Sequence, residues 1–176
     1  MAKLPKRKEY LNDFKKSDDG SYYYGGKYYE FSGDERAFKK SLILLIILIA
    51  LLITIIIGSG CVSAGGMKNA FYVIMPYILE VSALFALCWY SFKMLSHGKA
   101  IKEYVYKSAH PKIPVIALIL AGFSAIGLIC SVIFTLINGN EGKPFEAILY
   151  PALKAVTALI AFIFNRSFKN LSWEIK

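Results

Sequence analysis

Two residues draw attention because of the company they keep. Glu80 and Lys154 each interrupt a long apolar run, Ala70–Phe92 and Phe145–Asn165, whose only other charge is Glu146 at a rim. A carboxylate or an ammonium in such surroundings is costly, about 2.5–3.5 kcal/mol on insertion scales, so it turns inward and finds a partner. Glu80 lies about ten residues into its run and Lys154 about nine, roughly 15 Å by helical rise. Opposite charges at equal depth on separate helices are natural partners. Three roles remain open for them. They could form a substrate or proton site. They could be a neutralised pair that fixes helix order. One of them could pair with a residue of another subunit.

Proline stands near both charges. Pro76 and Pro151 each remove a helix hydrogen bond and permit a kink. The helix faces agree with an inward orientation. Pro76, Glu80, Ala83, Leu87 and Tyr90 fall on one stripe, and Pro151, Lys154, Ala158, Ala161 and Asn165 on another. A third stripe of mostly small residues joins Ala117, Ala121, Ser124, Leu128, Ser131 and Thr135, the kind that lets helices approach closely in lipid.

Other chemistry is thinly represented. Cys61, Cys88 and Cys130 make an odd count without metal spacing. His97 and His110 share one polar loop with no Cys or carboxylate cluster, so no metal, haem or other cofactor is expected. No phosphate-binding glycine loop or nucleophile elbow occurs, and no enzyme activity is expected.

The elements that carry these residues follow from the averages. Of 176 residues 56% are apolar and 19% charged, with a net charge of +9 and a mean hydropathy of +0.48. Such a chain needs long apolar blocks with its charges between them. A bilayer core needs about 20 apolar residues per helix. Four blocks qualify, about 41–60, 70–92, 113–137 and 145–165. The expected fold is all-α, an integral membrane four-helix bundle over residues 41–176, behind a basic, aromatic tail at 1–40. The first run is too long and too far along the chain for a signal peptide. Gly58-Ser59-Gly60-Cys61 resembles the end of a lipoprotein cleavage site but lacks the usual Leu three residues before the Cys, and the leader would be far too long; the small residues are read as extending the apolar run. The first run is otherwise almost all Leu and Ile, which suits lipid or a larger neighbour.

Lys and Arg give the orientation. Residues 1–40 hold ten of them, residues 93–112 five, and the tail Arg166, Lys169 and Lys176. The opposite side holds Lys68 and Lys143. Both termini are expected to be cytoplasmic, in a plasma membrane. The positive charge then faces anionic lipid headgroups rather than nucleic acid.

The tail has its own pattern. Lys6–Lys16 reads as a short helix, with Tyr10, Leu11 and Phe14 on one side. Tyr22, Tyr23 and Tyr24 precede Gly25-Gly26-Lys27, and Tyr28 and Tyr29 follow. A Gly-Gly turn between such residues predicts a β-hairpin with Tyr23 opposite Tyr28 and Tyr22 opposite Tyr29. A lone hairpin is marginal in water. It therefore rests either on the membrane interface or on a partner protein. Ser32-Gly33-Asp34-Glu35 matches a capping box with Ser32 as N-cap, starting the first helix near Gly33. In the loop at 96–112, Ile101, Tyr104 and Val105 recur at helical spacing and predict an interfacial helix.

The chain also repeats itself. Val81-Ser82-Ala83-Leu84 matches Val156-Thr157-Ala158-Leu159. Ser91-Phe92-Lys93-Met94-Leu95-Ser96 matches Ser167-Phe168-Lys169-Asn170-Leu171-Ser172. The offsets are 75 and 76 residues. They suggest a duplicated two-helix hairpin whose copies are parallel, about an axis along the membrane normal. Taken together, these features lead to an accessory or scaffold subunit of a larger membrane complex, with a protein partner or a second copy. The alternative is a small-solute or ion transporter that uses Glu80 and Lys154.

Overall fold

The computed structural model describes residues 14–17, 19–62, 67, 69–139 and 143–176. Most of the expected Lys6–Lys16 helix, and Lys68, lie outside them. The order is β1 (Phe14–Lys16), β2 (Tyr22–Tyr24), β3 (Tyr28–Phe31), α1 (Glu35–Cys61), α2 (Phe71–Leu95), β4 (Ala100–Lys102), α3 (Glu103–Ala109), α4 (Lys112–Asn138), α5 (Pro144–Lys169) and β5 (Trp173–Ile175). The chain is mostly helical. Four helices are long and apolar enough to cross a membrane: α1, α2, α4 with α3 leading into it, and α5.

Each long helix forms because its apolar residues outlast any breaker, and each buries one stripe. In α1 that stripe is Leu45, Leu48, Leu52, Ile56 and Ser59, while Ile43, Leu44, Ile46, Ile47 and Leu51 face outward. In α4 it is Ile113, Ala117, Leu120, Ser124, Gly127, Ser131 and Phe134. Three members of the expected small-residue stripe are among these: Ala117, Ser124 and Ser131. Helix α5 packs against α4 and α1, and α2 packs against α4, whereas α1 and α2 barely touch. Pro76 and Pro151 stand inside α2 and α5, and both helices continue through them.

The expected pairing of Tyr23 with Tyr28 and Tyr22 with Tyr29 does not form. β2 pairs antiparallel with β1 instead, Tyr23 opposite Lys15 and Tyr22 opposite Lys16. Phe14–Lys16 is therefore strand and not the end of a helix. β3 is the centre of a three-stranded sheet, with Tyr29 opposite Ile101 of β4 and opposite Ile175 of β5. The reason is satisfaction of the backbone. A hairpin would pair β3 on one edge, whereas the loop strand and the C-terminal strand pair it on both. Phe31 is buried in the process, against Phe38 and Trp173.

Two further expectations are corrected. The cap of α1 is Asp34, which accepts from the Ala37 amide at 2.7 Å. Ser32 is drawn away by the C-terminal segment, where its hydroxyl meets the Ser172 hydroxyl and lies 3.1 Å from the Ser172 carbonyl. The loop helix α3 begins only at Glu103. Ile101, in β4, and Val105, in α3, are fully buried in the protein's own core and do not form an exposed apolar face.

The sheet thus gathers one end of every long helix. β3 leads into α1, β4 connects α2 to α3 and α4, and β5 follows α5. Helices α2 and α5 consequently run parallel, both toward the sheet, and α1 and α4 run away from it. The apolar interior falls into two parts. A large cluster extends from the sheet to Ile56, Ala83 and Leu120. A small one at the far end joins Met67, Val73, Phe134 and Tyr150. Polar side chains lie between them.

Candidate functional site

Glu80 and Lys154 meet in the gap between the two apolar clusters. The Lys154 ammonium forms a salt bridge with Glu80 Oε2, and neither side chain is more than 1% exposed. The ammonium also donates to Ser59 Oγ at 3.1 Å. The Ser124 hydroxyl lies 2.6 Å from Glu80 Oε1 and 3.0 Å from the Leu120 carbonyl. Its single proton goes to the carboxylate, the charge-assisted and stronger bond. One side chain from each long helix therefore enters the layer: Ser59 from α1, Glu80 from α2, Ser124 from α4 and Lys154 from α5.

Two rings complete it. The Lys154 ammonium stands 4.5 Å from the centroid of Tyr77 and 5.1 Å from that of Tyr150. The ring faces carry partial negative charge, so they stabilise a cation that water cannot reach. Lys154 thus has a carboxylate, a hydroxyl and two rings, and Glu80 has an ammonium and a hydroxyl. Both charges are compensated within the fold.

Local sequence makes the layer possible. Tyr77 fits because Gly60 lies opposite it on α1; a Cβ there would collide with the Tyr77 hydroxyl. Gly127 on α4 sits beside the Lys154 stem and Pro76, where a Cβ would make ordinary contact at 3.7 Å and 3.8 Å. Ser59 steadies its own oxygen by donating to the Ile56 carbonyl at 2.8 Å, which leaves a lone pair for Lys154.

The other candidate residues lie elsewhere. Pro76 is buried one turn before Glu80, and Pro151 is half-buried nearer the far end. Tyr22, Tyr23 and Tyr24 lie in β2 of the two-stranded sheet and Tyr28 and Tyr29 in β3 of the three-stranded one, and none of them contacts the ion pair. Tyr22 and Tyr23 are exposed; Tyr24 packs edge-on against Tyr28, and Tyr29 stacks on Tyr106 at 3.9 Å. Four participants were not singled out as site residues from sequence: Ser59, Ser124, Tyr77 and Tyr150. Ser124 carried a signal as part of the small-residue stripe of α4. Tyr77 and Tyr150 each lie about one turn from a buried charge on the same helix, which is a usable signal.

The same geometry bears on the internal repeat. Seven buried positions of α2 correspond to seven of α5 at the 74-residue separation of Glu80 from Lys154, from Val73 and Ala147 to Met94 and Phe168. The sequence matches lie at 75 and 76. Residues that match in type therefore face differently: Lys154 is fully buried, and Leu79, its counterpart at 75, is 40% exposed.

No protein-family model, curated protein or solved structure matches this chain.

Proposed function

We propose that this chain is a small multi-pass plasma-membrane protein that serves as an accessory or scaffold subunit of a larger membrane complex. Four apolar helices support the multi-pass reading. The Lys and Arg bias supports cytoplasmic termini, with the sheet on the cytoplasmic side. The observation that carries the scaffold role is the saturation of the Glu80–Lys154 pair by side chains of all four helices. A pair held in this way fixes which helix sits beside which. A solute site would need ligand groups left unsatisfied. The lipid-facing Leu and Ile of α1 and the exposed Tyr22 and Tyr23 supply contact surfaces for a protein partner.

The recurrence of Ser-Phe-Lys-x-Leu-Ser supports a duplicated hairpin. The matches stand one residue (Val-Ser-Ala-Leu) and two residues (Ser-Phe-Lys-x-Leu-Ser) out of phase with the 74-residue separation of Glu80 and Lys154, so the two copies present different faces, at about 100° per residue.

Extraction in mild detergent followed by native mass measurement tests the role. A heteromeric complex of fixed composition is expected. A homodimer whose solute uptake depends on both Glu80 and Lys154 would overturn this reading in favour of a small-solute or ion transporter.

A further inference from the structure

The ion pair is not the only polar layer on the helix axis. Ser91 and Asn165 lie eleven residues beyond Glu80 and Lys154, on the same buried stripes of the same two helices. Because α2 and α5 run parallel, both residues stand about 16 Å from the ion pair toward the sheet, at one level. Ser91 is 3% exposed and Asn165 5%. Ser91 Oγ and Asn165 Oδ1 are buried and have no hydrogen-bond partner among the described residues.

The neighbours explain why these atoms are orphaned. Helices α1 and α4 run the other way, so eleven residues back from Ser59 and Ser124 come Leu48 and Ile113. Both are buried, at 7% and 0% exposure. The upper layer has a polar side chain from each helix; this one has two polar and two aliphatic. Leu48 and Ile113 wall the level without offering a donor or an acceptor. Ser91 Oγ and Asn165 Oδ1 do not bond each other. A buried polar atom in that position is stabilised by a small molecule that both donates and accepts.

We propose that Ser91 and Asn165 form an internal binding site for a small neutral hydrogen-bonding molecule, with water as its occupant. The water donates to Asn165 Oδ1 and exchanges a hydrogen bond with Ser91 Oγ. Ala83 with Thr157, and Leu87 with Ala161, separate this layer from the ion pair. The site stands on its own geometry and holds whether the ion pair is structural or binds a solute.

Thermal unfolding of the purified full chain distinguishes a hydrated site from a dry one. If water bridges the two residues, Ser91→Ala strands Asn165 and lowers Tm by about 2–4 °C. Asn165→Leu added to Ser91→Ala then brings little further loss, because the two side chains hold one molecule. An unchanged or raised Tm for Ser91→Ala overturns the proposal, since deleting an unpaired hydroxyl from a dry site relieves a penalty. Should the variants fail to fold, the wild-type protein decides through radiolytic hydroxyl labelling. Met94 is fully buried, one turn from Ser91. Radicals formed from a resident water oxidise it several-fold above the background for buried Met67; protection equal to that of Met67 overturns the proposal.

Discussion

Removing one charge of the buried pair should be far worse than removing both. Lys154→Met deletes the bridge to Glu80, the bond to Ser59 and the contacts with the rings of Tyr77 and Tyr150. Glu80 keeps only the Ser124 hydroxyl, in a place water does not reach. Breaking a buried pair in this way costs about 3–5 kcal/mol, most of it the penalty for the charge left behind. For a chain of this size that lowers Tm by roughly 6–20 °C. Glu80→Gln keeps the shape and the Ser124 bond but leaves the ammonium unpaired, so a loss of similar size follows. Gln and Met together leave no charge and nearly the same volume. The double variant should therefore be more stable than either single one, with a coupling of at least about 3 kcal/mol in the cycle. A second double variant, Glu80→Lys with Lys154→Glu, separates the rings from the pair. Ser59 and Ser124 can each donate or accept, so the exchanged pair keeps its bonds. The ring faces then meet a carboxylate, and recovery should be only partial. The assay is thermal unfolding in one detergent, followed by helical circular dichroism. Single losses that add to within about 0.5 kcal/mol in the double variant would refute the reasoning.

Three other outcomes follow from the same contacts. Gly60→Ala should lower Tm more than Gly127→Ala, because Tyr77 must move its hydroxyl away from the new Cβ, whereas the Cβ at Gly127 meets only ordinary contacts; the order of their Tm values checks this. Asp34→Ala should cost about 0.5–2 kcal/mol through loss of the helix cap, measured by the same unfolding. The third is a pH effect at the sheet. Glu30's carboxyl is held below the usual carboxylate range, chiefly by its bond to Lys176 against a smaller opposing effect of burial, with Lys99 adding at 3.7 Å. A depressed folded value means its contribution is present above the ordinary carboxylate range and is lost as pH falls through the folded value. Trp173 fluorescence in a Trp89→Phe background should therefore change below about pH 4 and do so less in Glu30→Gln.

What was legible in the sequence depended on the range of the interaction. An apolar run long enough to cross a membrane is a local property, and every one of the four was visible as such. The inward stripes of α2 and α5 were legible for the same reason, because 3.6 residues per turn places Glu80 beside Ala83 and Leu87 without reference to any other helix. Strand pairing is a different matter. Tyr28–Phe31 carries the same β preference whichever partner it takes, and its partners lie some 70 and 145 residues further along the chain. A local turn signal at Gly25-Gly26 lost to that distant, two-sided pairing. The capping box failed likewise, because Ser32 found a partner 140 residues away. The ion pair stands between these cases. Equal depth on parallel helices made Glu80 and Lys154 natural partners. Their surroundings needed the neighbours of each helix: Ser59 arrives from α1 only because α1 packs on α5, and Ser124 from α4 only because α4 packs on α2. The sequence repeat, counted at 75, put Leu79 where Lys154 stands. Burial runs at 74, and that one residue turns the helix face enough to place opposite charges in contact. In this chain the burial pattern, which runs at 74 from Val73 and Ala147 to Met94 and Phe168, is a better guide to which residues of α2 and α5 share a level than the sequence match at 75.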